Sequence, residues 1–253
     1  MTLPMCLIAF SFTPDHDRHL LLAANRDEFH ARPARPLAWW HWPEGPLAGR
    51  DERGGGTWLA LARDGRWAAV TNFRDPRAGA GARSRGELPI GFLSSGIAPS
   101  DYVRNIHRDR TAFGPFNLLV GDRESLWYCS SRRHPQAVAP GVHALSNGLL
   151  DEGWPKSRRV AVALRRQLDP SGTIDHDRLF DLMDDRQEAD DKELPDTGVG
   201  LDIERMLSAP FIVSPGYGTR CSTVVELGRV NRASERRFTP DGQRIGELSY
   251  SWR

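Results

Sequence analysis

The sequence predicts an α+β fold in which helices pack on antiparallel sheets. Three observations carry this. Short apolar runs open the chain, helical periodicity is confined to its middle, and alternating strand patterns return in the last quarter. Segments 6–12 and 19–25 are apolar and flank the turn-rich linker Thr13-Pro14-Asp15-His16-Asp17, which reads as a hairpin. From 30 to 49 the chain is rich in Pro, Trp and Arg, too proline-dense for regular structure. Within it Trp39, Trp40 and Trp42 beside His41 form an aromatic loop, either packed over a sheet edge or acting as an apolar lid. Gly54-Gly55-Gly56 precedes strand 57–61; after the turn Asp64-Gly65 the run 66–72 completes a second hairpin. Residues 74–86 read as a flexible basic loop.

Helical pattern follows at 86–95 and 100–109, where Tyr102, Val103 and Ile106 share a face. Strands are expected at 116–121, 125–130 and 142–146. A helix spans 155–167, with Pro155 suited to its first turn and Val160, Val162 and Leu164 inside, and another spans 176–184. The charged stretch 185–199 reads as a mobile surface loop. Segments 211–213, 220–228, 230–238 and 245–252 alternate as an antiparallel meander. Neither an internal repeat nor a linker interrupts the chain, so residues 1–253 are expected to form one domain.

With 34 basic against 33 acidic residues, the charge balance argues against nucleic acid or a membrane surface as a general partner. No apolar stretch reaches the roughly 18 residues of a membrane span, and the N-terminal segment lacks the basic flank of a signal peptide. Three widely spaced cysteines make neither a disulfide framework nor a metal signature, which favours a reducing, cytoplasmic location. Cys129 and Cys221 sit in strand patterns and are assigned to core packing. The histidines show no paired metal spacing. Gly54-Gly55-Gly56 lacks the Gly-Lys-Ser/Thr ending of a phosphate loop and precedes a strand. No cofactor and no metal are expected; the partner is a small molecule.

The candidate nucleophile is Cys6, which follows Met5 at the head of an apolar strand. Residues 1–5 read as a leader or a mis-assigned start. Their loss leaves a free α-amine beside the thiol, titrating at roughly pH 7.7–8.0 and able to take the thiol's proton. The alternative is a buried cysteine acting as a small hydrophobe.

A series of phrases in order along the chain carries a resemblance: Met5-Cys6-Leu7-Ile8-Ala9-Phe10, Ala24-Asn25-Arg26-Asp27-Glu28-Phe29, Gly55-Gly56-Thr57-Trp58-Leu59, Val70-Thr71-Asn72, Phe116-Asn117-Leu118-Leu119, Leu145-Ser146-Asn147, Trp154-Pro155-Lys156 and Tyr217-Gly218-Thr219-Arg220. The chain resembles the NRDE family, named for its Asn-Arg-Asp-Glu run and including the transport and Golgi organisation protein 2 group. That family is similar to the N-terminal nucleophile hydrolases, which implies a four-layer αββα sandwich of two antiparallel sheets. Its members are associated with Golgi organisation and haem trafficking. Cysteine amidases, bile-salt hydrolases and penicillin V acylases are the relatives implied.

Under this resemblance Cys6 attacks an amide or ester. Arg26 lowers the thiol's pKa and holds a substrate carboxylate or carbonyl, and Asp27 anchors the α-amine. Those amidases space their arginine and aspartate further apart. Adjacent residues on a strand face opposite sides, so Arg26 and Asp27 need not both reach the thiol; the alternative is a strand-end ion pair. Asn72 and Asn147 would aim amide donors at an oxyanion, or else serve as turn residues. Arg220 would stand near the nucleophile. Glu28 is expected to partner an arginine, and Arg50-Asp51 to form an ion pair. A second functional reading, from the family association, is a non-catalytic cleft for haem or another hydrophobic ligand.

Overall fold

The structure is a computed structural model that describes residues 5–41, 44–168 and 174–253; the leader residues 1–4 and Trp42 of the aromatic loop lie outside these. In chain order the elements are β1 (Met5–Phe12), β2 (Arg18–Phe29), β3 (Ala34–Trp39), β4 (Leu47–Asp51), β5 (Leu59–Leu61), β6 (Trp67–Asn72), α1 (Glu87–Ser95) and α2 (Pro99–Arg108). There follow β7 (Phe116–Gly121), β8 (Leu126–Ser130), β9 (Arg133–Ala137), β10 (Gly141–Leu145), α3 (Pro155–Gln167), α4 (His176–Met183), α5 (Leu201–Met206), β11 (Tyr217–Gly228), β12 (Asn231–Phe238) and β13 (Arg244–Trp252).

Strand periodicity explains the layering. In β1 and β2 both faces are apolar, because each strand is covered on both sides. Ile8, Phe10, Leu22 and Ala24 face inward and meet Leu59, Trp67 and Leu119 of the other sheet. Their neighbours Leu7, Ala9, Leu21 and Ala23 face outward onto Val160 and Leu164 of α3 and Leu179 of α4. On the opposite side Val70 and Leu118 pack on Leu88, Phe92 and Val103 of α1 and α2. The result is the four-layer αββα sandwich that the resemblance implied. One sheet runs β10-β1-β2-β11-β12-β13 and the other β3-β4-β5-β6-β7-β8-β9, with antiparallel neighbours throughout. Among the described residues no helix is long and apolar enough to cross a membrane.

Several expectations are corrected. Segment 30–49 contains β3 and β4. Pro36 is accommodated because β3 is an edge strand, with a register shift between Arg35 and Ala38. The largely exposed β9, carrying Pro135, is an edge strand for the same reason. Val162 is on the solvent side of α3, whose buried face is Val160, Ala161 and Leu164, as a 3.6-residue period requires. Residues 211–213 form no strand beyond a bridge from Val213 to Gly218. The stretch 185–199 is tied down by Arg159–Asp185 and Arg158–Glu193 ion pairs and leads into α5, which the charge pattern hid.

Candidate active site

The register of one sheet builds the site. Cys6 of β1 pairs with Arg26 of β2, Arg26 with Cys221 of β11, and Cys221 with Arg237 of β12. Cys6 and Arg26 continue the inward-facing series Ile8, Phe10 and Leu22, Ala24 past the end of the apolar core, so both look into the space between the sheets. There a pocket of about 410 Å³ opens, and Cys6, Arg26, Asp27, Asn72 and Arg220 all line it. Cys129 is core, packed with Leu118 and Phe116. Cys221 is not merely core: it lines the same pocket, because its strand position shares the face of Arg26.

Asp27 falls on the alternate face, towards α3. It is fully buried, and its Oδ1 accepts a 2.7 Å hydrogen bond from Thr219 Oγ1. Its Oδ2 has no hydrogen-bond partner among the described residues, and the same holds for Nζ of Lys156, buried in the first turn of α3. Burial raises the Asp27 carboxyl to about 6, against the opposing pull of the Lys156 ammonium. Burial also lowers Lys156 to about 8, with Asp27 holding it up. Lys156 is one of only two lysines in an arginine-dominated chain.

Burial, then the charge of Asp27, pushes the Cys6 thiol up to about 12, and Arg26 only partly offsets this. The thiol-lowering effect expected of Arg26 is therefore present but outweighed while Cys6 keeps a peptide nitrogen. Arg26 Nη2 stands 3.5 Å from Glu28 Oε2, which also faces Arg32 Nε at 3.4 Å. Asp51 pairs with Arg32 at 2.6 Å, not with Arg50 as expected; strand alternation turns Arg50 away to lie over the Trp40 ring.

Asn72 ends β6 at the pocket. Asn147 is buried behind it and does not line the cavity; its Nδ2 donates to Asn72 O at 2.8 Å, and its own carbonyl accepts from Arg74 N at 2.7 Å. Arg220 sits where the β2–β11 register shifts between Thr219 and Cys221, a bulge that re-aims the side chain. Its Nη1 donates to the carbonyls of Phe29 and Arg32, each at 3.1 Å. Burial, and then the neighbouring Arg26, lowers its pKa. Sequence reasoning also passed over Arg85, Glu235 and Arg237, which line the pocket from the 80–86 loop and β12. Among the described residues no group of three or more His, Cys, Asp or Glu side chains is arranged to hold a metal ion.

Comparison with known proteins adds the following. Residues 5–239 match the family described as Transport and Golgi organisation 2. The chain is 34% identical to the Transport and Golgi organization protein 2 homolog of Bos taurus, and 32% identical to that of Homo sapiens. Each alignment covers 87% of this chain and 88% of the relative. Among solved structures it is similar to a Caenorhabditis elegans N-acylethanolamine-hydrolyzing acid amidase ortholog, at 10% identity and a TM-score of 0.37. That alignment covers 87% of this chain and 92% of the other.

Proposed function

The chain belongs to the Transport and Golgi organisation 2 family, and from that premise we propose that it is a cytoplasmic N-terminal-cysteine hydrolase of a non-peptide amide or ester. The observation that carries this reading is the unsatisfied Oδ2 of Asp27 beside the start of β1. Met5 pairs with Asp27 and Cys6 with Arg26. Removing residues 1–5 converts the Cys6 backbone nitrogen into an ammonium next to a buried carboxylate that lacks a second partner. Such a pair satisfies both groups.

The chemistry follows. The neutral form of the α-amine takes the Cys6 proton, the resulting ammonium is held by Asp27, and the thiolate attacks the substrate carbonyl. Asn72 aims its amide at the oxyanion, a contribution of about 3–4 kcal/mol when well aligned. Asn147, hydrogen-bonded to the Asn72 carbonyl, fixes that strand end. Arg26 and Arg220 orient the carbonyl from across the sheet. The α-ammonium returns its proton to the leaving amine or alcohol. Water, activated by the same amine, then releases the acid from the thioester.

Intact mass together with acyl-amide and ester screening tests the reading. A chain beginning at Cys6 that traps a thioester, lost in Cys6→Ala, is the expected outcome. A chain trimmed to Cys6 that turns over no substrate and alkylates Cys6 no faster than an unfolded thiol overturns it. A second reading has its own support: with residue 5 attached, the thiol near 12 is protonated at neutral pH. In that form the pocket binds and carries a ligand, haem or another hydrophobic molecule, without cleaving it.

A further inference from the structure

The pocket is lined by eight arginines but four carboxylates, and those carboxylates are unevenly committed. Glu28 faces Arg26 and Arg32, and Asp51 holds Arg32. Asp27 looks towards Lys156, and Glu235 Oε1 accepts the Leu37 N–H at 2.9 Å. Arg85, Arg220 and Arg237 have no ion pair among the described residues. Arg85 donates to the Pro115 carbonyl and Arg220 to two backbone carbonyls. Arg237 Nε is buried with no hydrogen-bond partner among the described residues. Its guanidinium lies across Gly246, its register partner on β13; a Cβ there would stand 2.9 Å from Arg237 Nη2.

A half-buried guanidinium on a cavity wall, with its Nε lacking a hydrogen-bond partner among the described residues, is a receptor for a planar or tetrahedral oxyanion, which can take two donors from the fork at once. We infer that Arg237, with Arg220 and Arg85 on the walls, forms an oxyanion-binding subsite, so the ligand carries a carboxylate or phosphate group as well as the bond to be cleaved. Arg237 lies three strands from Cys6 along one inward face, a backbone separation of roughly 14 Å. The anion is thus held at the opposite end of the ligand from the scissile carbonyl. That spacing rests on Cys6 being the nucleophile; the subsite itself does not.

The probes are inorganic phosphate, glutarate and the neutral glutaramide, titrated calorimetrically into the full chain carrying Cys6→Ala, which separates binding from hydrolysis. Saturable binding of phosphate or glutarate, with none for glutaramide, is expected, and the tighter of the two probes identifies the ligand as a phosphate ester or a carboxylate. Arg237→Met weakens that binding about tenfold or more. Because Arg237→Met also alters a strand, Gly246→Ala serves as the second variant; it displaces the guanidinium without removing it and weakens binding with little change in melting temperature. Absence of saturable binding by both anions, or affinity unchanged from the Cys6→Ala parent when Arg237→Met or Gly246→Ala is added, overturns the subsite. Anion binding that survives a failure to find any hydrolysis leaves the subsite standing and removes only the nucleophile.

Discussion

Lys156 shows how one side chain sets the chemistry of its neighbours. A lysine ammonium is compact and deprotonates when buried, whereas a guanidinium stays charged, so the two are not exchangeable here. The Asp27 carboxyl sits near 6 because burial raises it and Lys156 limits the rise. Removing the ammonium therefore moves Asp27 upward. If ionised Asp27 orients the α-amine, the acid limb of kcat/KM shifts to higher pH in Lys156→Met than in the wild type. An unshifted limb would show that Lys156 does not act through Asp27. Met fills a similar volume but leaves the Asp27 carboxylate buried without its cation, so the melting temperature should fall at pH 7 and the loss should shrink at lower pH as Asp27 takes up a proton. The meeting of Cys6, Arg26 and Asp27 at one pocket was legible from charged residues ending an apolar strand and from the resemblance. Lys156 was not, because a first-turn lysine ordinarily points to solvent and only a register between distant elements reveals that it cannot.

Connections between elements hold the pocket open and decide how far it can deform. The strand end carrying Asn72 continues into Arg74, which forms a buried ion pair with Glu204 of α5 and lies over the Trp154 ring. Glu204 also accepts from Thr197 N at 2.9 Å. Glu204→Gln should cost about 3–5 kcal/mol in urea unfolding, because it leaves the Arg74 guanidinium buried without its counter-charge; a loss under about 1 kcal/mol would mean the pair is dispensable. Gly56 contributes differently: a Cβ there would stand 2.2 Å from the Gly86 carbonyl, the backbone that closes the 80–86 wall. Gly56→Ala should destabilise by about 1–3 kcal/mol and weaken ligand binding together. Most strands and helices were readable from apolar periodicity, since alternation and a 3.6-residue repeat are local. The edge strands β3 and β9 and the short α5 were not: proline, exposure and charge describe their surroundings rather than their backbone, and pairing partners supply the rest.

Taken whole, the two sheets share one apolar interior, in which Phe10 packs between Trp67 and His143. Phe10→Ala should cost about 3–5 kcal/mol. Tryptophan fluorescence and protection of the Cys6 and Cys221 thiols should then report one shared transition midpoint in denaturant. Separated midpoints would mean that the sheets unfold as independent units. The αββα order itself was readable from the resemblance across nearly the whole chain, whereas Arg237 joined the site only once the sheet order placed it on the face of Cys6.

That same sheet order sets a timetable for synthesis. β2 is flanked by β1, its neighbour in sequence, and by β11, some two hundred residues later. A nascent chain that has not yet reached Tyr217 holds the cysteine and its two charged companions on a half-finished ribbon with an open edge. Such long-range closure is slow, and the unpaired edge must be shielded until the final strands emerge from the ribosome. The pocket therefore forms only with completion, and a message truncated ahead of β11 should yield an aggregation-prone fragment in which the pocket never assembles.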